Sequence, residues 1–213
     1  ILAYQFFEGY ESEMFKTLVT LFSKTAIEVC EGQQYDVDFE SRMDVTLEEY
    51  LKMIAYKTAV LVAAAMQMGA ITAGASAEDA QNIYEFGKNL GIAFQLQDDY
   101  LDAFGDAESF GKQVGGDIIE NKKTVLFIKA MEFSNADQKQ QLLELYAEQP
   151  EDVTQKLSVV KNIFVESGAV EFTKNTISEY TEKAFTYLEN LSISDTNKAL
   201  LETFGTQLMN RKI

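Results

Sequence analysis

The sequence contains no histidine and no tryptophan, and only one proline and one cysteine among its 213 residues. Without histidine, every imidazole-dependent triad, imidazole zinc site and imidazole acid/base mechanism is excluded. The single Cys30 cannot form an internal disulfide, which agrees with a reducing compartment. A lone proline leaves few breakers, so long helices can run uninterrupted. No apolar run approaches the roughly 18 to 20 residues that span a bilayer, and the N-terminus lacks the basic start of a signal peptide. The expectation is a cytoplasmic protein with no membrane span. Positive charge is scarce too: 18 Lys and Arg against 34 Asp and Glu give a formal net charge of -16. Nucleic acid is thereby disfavoured as the main partner, because phosphate binding needs clustered lysines and arginines. An anionic ligand held through metal ions remains open.

What is present is ordinary for a globular protein, with 46% hydrophobic and 24% charged residues. Apolar residues recur with helical spacing and nothing alternates with period two for long, so the chain reads as one all-α domain over residues 1–213. A first helix is expected over roughly residues 1–30, followed by the polar connection "EGQQYDVDFESRMD". Thr46 with Glu49 is a capping-box pattern opening a helix to about Gly69, and Ser76 with Asp79 opens another to about Phe104. After a glycine-rich loop, "GDAESFGKQVGGDIIENKK", helices are expected near residues 124–133, 136–148, 153–167, 169–190 and 195–211. The helical spacing starts at Ile1 with no cap before it, so the chain reads as beginning inside a helix.

The stretch "FQLQDDYLDAFGD" sets three carboxylates within five residues beside bulky apolar groups. On a helix, Gly91, Gln95, Asp98 and Asp102 form one stripe, with Asp99 rotated by about 100° from it. No Lys or Arg lies within four residues of Asp98 or Asp102 to offset the like charge. Either this is a solvated acidic face, or a hard divalent cation such as Mg²⁺ bridges the carboxylates to substrate phosphates. Small residues in the preceding "LGIAF" permit close helix approach.

A second oddity is Lys57, set within the apolar stripe formed by residues 50, 53, 54, 57, 61, 64 and 68, with no acid three or four positions away. It either snorkels or binds an anion. In the second case Lys57 and Thr58 offer an ammonium and a hydroxyl to phosphate oxygens, and Lys112 and Lys122 add cations from the loop after the acidic helix. That loop is not a Walker A sequence.

"FGKNLGIAFQLQDDYLDAFGD" followed by "GKQVGGDIIENKKT" closely resembles the second aspartate-rich motif and following loop of the trans-isoprenyl diphosphate synthases, the family of farnesyl and geranylgeranyl diphosphate synthases. "YKTA" at residues 56–59 resembles that family's Lys-Thr motif, and "EGQQYDVDFE" its Gly-Gln-x-x-Asp segment, in the expected order. The resemblance implies the isoprenoid synthase fold, a helical bundle around a central apolar cavity, and a homodimer. By the same resemblance Asp98, Asp99 and Asp102 match acids that bind Mg²⁺, with Lys57 and Asp98 as catalytic residues. Lys57, Thr58, Gln95, Lys112 and Lys122 match residues that contact the allylic diphosphate. The implied reaction is Mg²⁺-assisted condensation of isopentenyl diphosphate with dimethylallyl, geranyl or farnesyl diphosphate to a short-chain trans-prenyl diphosphate, chemistry that needs no histidine.

The family's first aspartate-rich motif and its accompanying arginines have no match here; "DVDFESRMD" has the wrong spacing. The expectation is a polyprenyl synthetase-like domain without its N-terminal helices, inactive as this chain alone. The alternative is a noncatalytic subunit of a heteromeric prenyl diphosphate synthase. A terpene cyclase-like protein is a third reading, which the Lys-Thr motif and the "FQLQDDYLD" wording disfavour.

Overall fold

A computed structural model describes residues 2–105, 114–147 and 153–210. Every regular element among them is helical: α1 (Leu2–Gln5), α2 (Ser12–Glu40), α3 (Leu47–Thr72), α4 (Ala77–Phe104), α5 (Gly116–Ile119), α6 (Val125–Phe133), α7 (Ala136–Ala147), α8 (Val153–Glu166), α9 (Ala169–Glu189) and α10 (Asp195–Met209). The two helix starts expected from capping are built as read. Thr46 accepts from the Glu49 N–H while the Glu49 carboxylate accepts from the Thr46 N–H, and Ser76 accepts from the Asp79 N–H.

The α2 boundaries differ from the sequence expectation. The helix starts at Ser12 and runs through the segment read as a polar connection, ending at Glu40. The reason is a seven-residue repeat that the glycine and acids of "EGQQYDVDFE" obscure: Leu18, Thr25, Gly32 and Phe39 are the buried residues of α2, two turns apart. The glycine is a packing site, since a Cβ on Gly32 would lie 2.4 Å from the backbone nitrogen of Lys57. Likewise, the glycine-rich loop contains the short helix α5.

Helix α3 departs from its expected stripe. Tyr50, Met53 and Ile54 are buried as the pattern requires, but Ala55–Ala59 forms a π-helical segment, and beyond it the buried residues are Val60, Ala63 and Ala64 while Leu61 is 56% exposed. The extra residue in that turn, marked by the Val60 N–H donating to the Ala55 carbonyl, rotates everything downstream. The expectation that no stretch suits a bilayer also needs amending: α3 is long and apolar enough by length and composition to cross one. In the fold it is the middle helix of a layer, packed between α2 and α4.

The main core lies among α3, α4, α6, α7, α8 and α9, centred on Tyr50, Leu96, Phe127, Leu142 and Phe164, with Phe127 stacked on Tyr146 at 4.2 Å. A smaller cluster around Phe86, Leu90 and Leu188 joins the first half of α4 to the end of α9. Helix α4 is therefore flanked by α3 and α9 along much of its length, leaving its C-terminal acids at one end of the bundle.

Candidate functional site

Two close backbone contacts assemble the site. Gly32 of α2 meets Tyr56 and Lys57, and Gly91 of α4 meets Ala59, where an added Cβ would lie 2.8 Å from the Ala59 Cα. Only glycine allows helices this near. The π segment is thereby held between α2 and α4, so that Lys57 reaches Asp36 of α2 and Thr58 reaches Gln95 of α4. The small residues before the acidic stretch do permit the close approach the sequence suggested.

A cavity of about 120 Å³ opens at this crossing. Its walls combine Phe39, Met53 and Ile54 with Lys57, Thr58, Gln95, Asp99, Asp117, Lys122 and Lys123. Lys57 Nζ donates to Asp36 Oδ2 at 2.5 Å, and Thr58 Oγ1 donates to Gln95 Oε1 at 3.2 Å. Gln95 Nε2 in turn donates to Asp99 Oδ1 at 2.9 Å, and the buried Tyr50 hydroxyl donates to Asp99 Oδ2 at 2.5 Å. Asp102 Oδ2 accepts the Asp117 N–H at 2.9 Å, and Lys122 Nζ donates to Asp117 Oδ1 at 2.9 Å. Lys123 Nζ donates to the Glu40 carbonyl at the C-terminus of α2, where the helix dipole favours a cation.

The acids are crowded. Burial, reinforced by the charge of Asp117, pushes the Asp99 carboxyl up to about 7 against the hydrogen bonds from Tyr50 and Gln95. Burial also raises Asp102, against the Asp117 N–H that favours its charged form. Tyr50 is driven well above the usual phenol range by burial and the neighbouring Asp99. Lys122 is held above the ordinary ammonium range, its contacts with Asp117 and Glu120 outweighing the burial that would lower it.

Asp36 and Asp117 have lysine partners, whereas Asp99 is met by the neutral donors Tyr50 and Gln95 and Asp102 by a backbone N–H, and an oxygen-rich wall of this kind suits a hard divalent ion. Among the described residues no three acidic side chains converge closely enough to hold a metal by themselves. An ion here would need one or two carboxylates completed by phosphate oxygens and water, the habit of Mg²⁺. The residues fit that group.

The structure brings together Lys57, Thr58, Gln95, Asp99, Asp102 and Lys122 at one end of the bundle. Asp99, read as rotated away, is the acid of the run that lines the cavity, while Asp98 is half-buried beside it. Lys112 lies outside the described residues. Sequence reasoning gave no role to Tyr50, which reaches Asp99 from 49 positions away, or to Asp117 and Lys123. Asp36 carried a signal, as the acid of the Gly-Gln-x-x-Asp segment, but its pairing with Lys57 did not.

Comparisons with known proteins bear on the family and the fold. Residues 1–163 match the family model described as Polyprenyl synthetase. A short chain isoprenyl diphosphate synthase of Methanothermobacter thermautotrophicus is 38% identical over 190 residues, covering 89% of this chain and 58% of that protein. A geranylgeranyl diphosphate synthase of Methanosarcina mazei is 37% identical over 183 residues, 85% of this chain and 54% of that one. A crystal structure of a geranylgeranyl pyrophosphate synthase superposes with a TM-score of 0.92 at 50% identity, covering 99% of this chain and 65% of the other. The chain thus spans between half and two thirds of the length of these relatives. The match over 163 residues, with the fold and the motifs in place, settles the family: the chain belongs to the polyprenyl synthetases.

Proposed function

We propose that the protein of which this chain is part is a trans-prenyltransferase that condenses isopentenyl diphosphate with an allylic diphosphate to a short-chain prenyl diphosphate. The observation that carries this reading is the meeting of Lys57, Thr58, Gln95 and Lys122 with a carboxylate-rich wall at one cavity that also has an apolar side. The names of the relatives, short-chain and geranylgeranyl diphosphate synthases, support the same class.

In this reading Lys57, Thr58, Gln95 and Lys122 bind the allylic diphosphate, together with Lys112. Lys57 exchanges its half-buried ion pair with Asp36 for phosphate oxygens, one anionic partner replacing another at the cavity wall. Asp98 and Asp102, with Asp99 beside them, would hold Mg²⁺, which when bound would supply Lewis-acid stabilisation to the departing pyrophosphate. Lys57 and Lys122 stabilise the negative charge that grows as the allylic C–O bond breaks, and they are worth most in the transition state. The double bond of isopentenyl diphosphate attacks the allylic carbon, and the proton then lost passes to the pyrophosphate. Phe39, Met53 and Ile54 present the apolar wall that suits a hydrocarbon chain and excludes water.

The test is turnover by the full-length protein with Mg²⁺, radiolabelled isopentenyl diphosphate and geranyl or farnesyl diphosphate. Labelled prenyl diphosphate, lost on chelation, is the expected result. Absence of product from the protein alone, with product on adding a second prenyl synthase subunit, would replace this reading with the noncatalytic one.

A further inference from the structure

Helix α8 carries a lysine where the core would accept a hydrocarbon. Lys156 is 2% exposed, and its Nζ donates to Asn121 Oδ1 and lies 5.4 Å from the centroid of the Tyr146 ring. Among the described residues no carboxylate pairs with it. A buried ammonium whose partners among the described residues are a neutral amide and an aromatic face is weakly compensated by them for its desolvation, and burial lowers its pKa. An apolar side chain of similar length would stabilise the core more.

Asn121, the residue it holds, is the one non-glycine residue with positive φ among the described residues, at 59°. Asparagine tolerates that conformation better than most side chains, though it does not prefer it as glycine does. The left-handed turn at Asn121 closes α5 and sends the chain back, so that the Lys122 N–H donates to the Asp117 carbonyl at 2.9 Å. The same reversal places Lys122 Nζ 2.9 Å from Asp117 Oδ1 and 3.1 Å from Glu120 Oε2, at the edge of the cavity.

We infer that Lys156 is a positioning residue: by fixing the Asn121 side chain it holds the left-handed turn that aims Lys122 and Asp117 at the diphosphate. The inference rests on the proposed function, because it takes the anion at this cavity to be a diphosphate. Lys156 acts only through Asn121 and does not touch the ligand.

The experiment is calorimetric titration of the full-length protein with inorganic pyrophosphate in Mg²⁺, alongside thermal unfolding. Lys156→Met is expected to weaken pyrophosphate binding about tenfold or more, as loss of a supporting contact behind a ligand residue does, without lowering the melting temperature. Asn121→Ala, which loses both the acceptor and the tolerance for positive φ, should weaken binding similarly. Asn121→Gly, which adopts the turn unaided, should not, and in its background Lys156→Met should add no further loss. Unchanged binding in Lys156→Met overturns the inference. So does a loss of binding that comes with a matching fall in melting temperature, or one that is equally large in the Asn121→Gly background. Should Lys156→Met fail to fold, unchanged binding in Asn121→Ala has the same force. A wild-type protein that does not bind Mg²⁺ and pyrophosphate removes the proposed function, and this inference with it. A wild type that binds beside an unaffected Lys156→Met removes this inference alone.

Discussion

The corner between α2 and α3 and the C-terminal end of α4 both gather acids, and they treat them in opposite ways. At the corner, Arg42 reaches Glu49 through Nη1 and Nη2, at 2.8 and 3.2 Å, and Asp44 through Nε at 2.8 Å. Arg42, joined by the Thr46 N–H, holds Glu49 down to about 2, and Arg42 also holds Asp44 below the usual carboxylate range. At the end of α4 the acids face one another and a phenol, and burial pushes Asp99 and Asp102 up. The Arg42 acids carry their own cation, whereas the crowded acids of α4 are the ones that the proposed function assigns to a cation from outside.

The contrast breaks most sharply in activity. In the full-length protein, Asp98→Ala should lower turnover about a hundred- to a thousandfold with the helical circular dichroism unchanged, because in the proposed reaction the lost group acts where charge develops. Unchanged turnover would remove Asp98 from the mechanism. Next in size is ligand-linked stability. Mg²⁺ with pyrophosphate at about a hundred times the dissociation constant should add about 2.7 kcal/mol to unfolding, reversed by a chelator. Substitution of Arg42 should leave that increment intact, since its acids are already paired; an increment that vanished with Arg42 would erase the distinction between the two regions.

The smallest effect is a pH dependence at the corner. Glu49 has its folded pKa lowered to about 2 from the ordinary 4.5, so its contribution is fully present above about 4.5 and is lost as pH falls through about 2. The melting-temperature difference between wild type and Glu49→Gln should therefore narrow across that window. The group is largely solvated, so the change should be modest, and a difference constant from pH 5 to 2 would show that the Arg42 contact does not set the pKa.

How far these regions were legible follows from the range of the interactions that build them. The corner was readable because a capping box spans four residues: Thr46 and Glu49 announce it locally. The residues that meet at the end of the bundle were marked in the sequence because Lys57, Thr58, Gln95, Asp99 and Asp102 fall in motifs with distinctive spacing. Its wiring was not. Asp99 faces the cavity, against expectation, because Tyr50 and Gln95 draw it there, and the Tyr50 contact spans 49 residues. The end of α2 was misread because glycine and acidic residues usually mark a connection, whereas Gly32 is where the next helix touches and Phe39 resumes the buried stripe. Lys57 had no local acid, and its partner Asp36 stands on a different helix.

The π segment Ala55–Ala59 has a consequence for insertions and deletions. Removing any one of its five residues would restore an ordinary α-helix, preserving every neighbouring residue type and the overall hydrophobic content of α3. Because the π turn already absorbs its extra residue, both halves of the helix would keep their faces, with Tyr50, Met53 and Ile54 on one side of the deletion and Val60, Ala63 and Ala64 on the other still in the core. What would change is the bulged turn itself, where Lys57 and Thr58 stand together between Asp36 and Gln95. The length of this turn is itself heritable information, as specific to the site as the identity of the lysine within it.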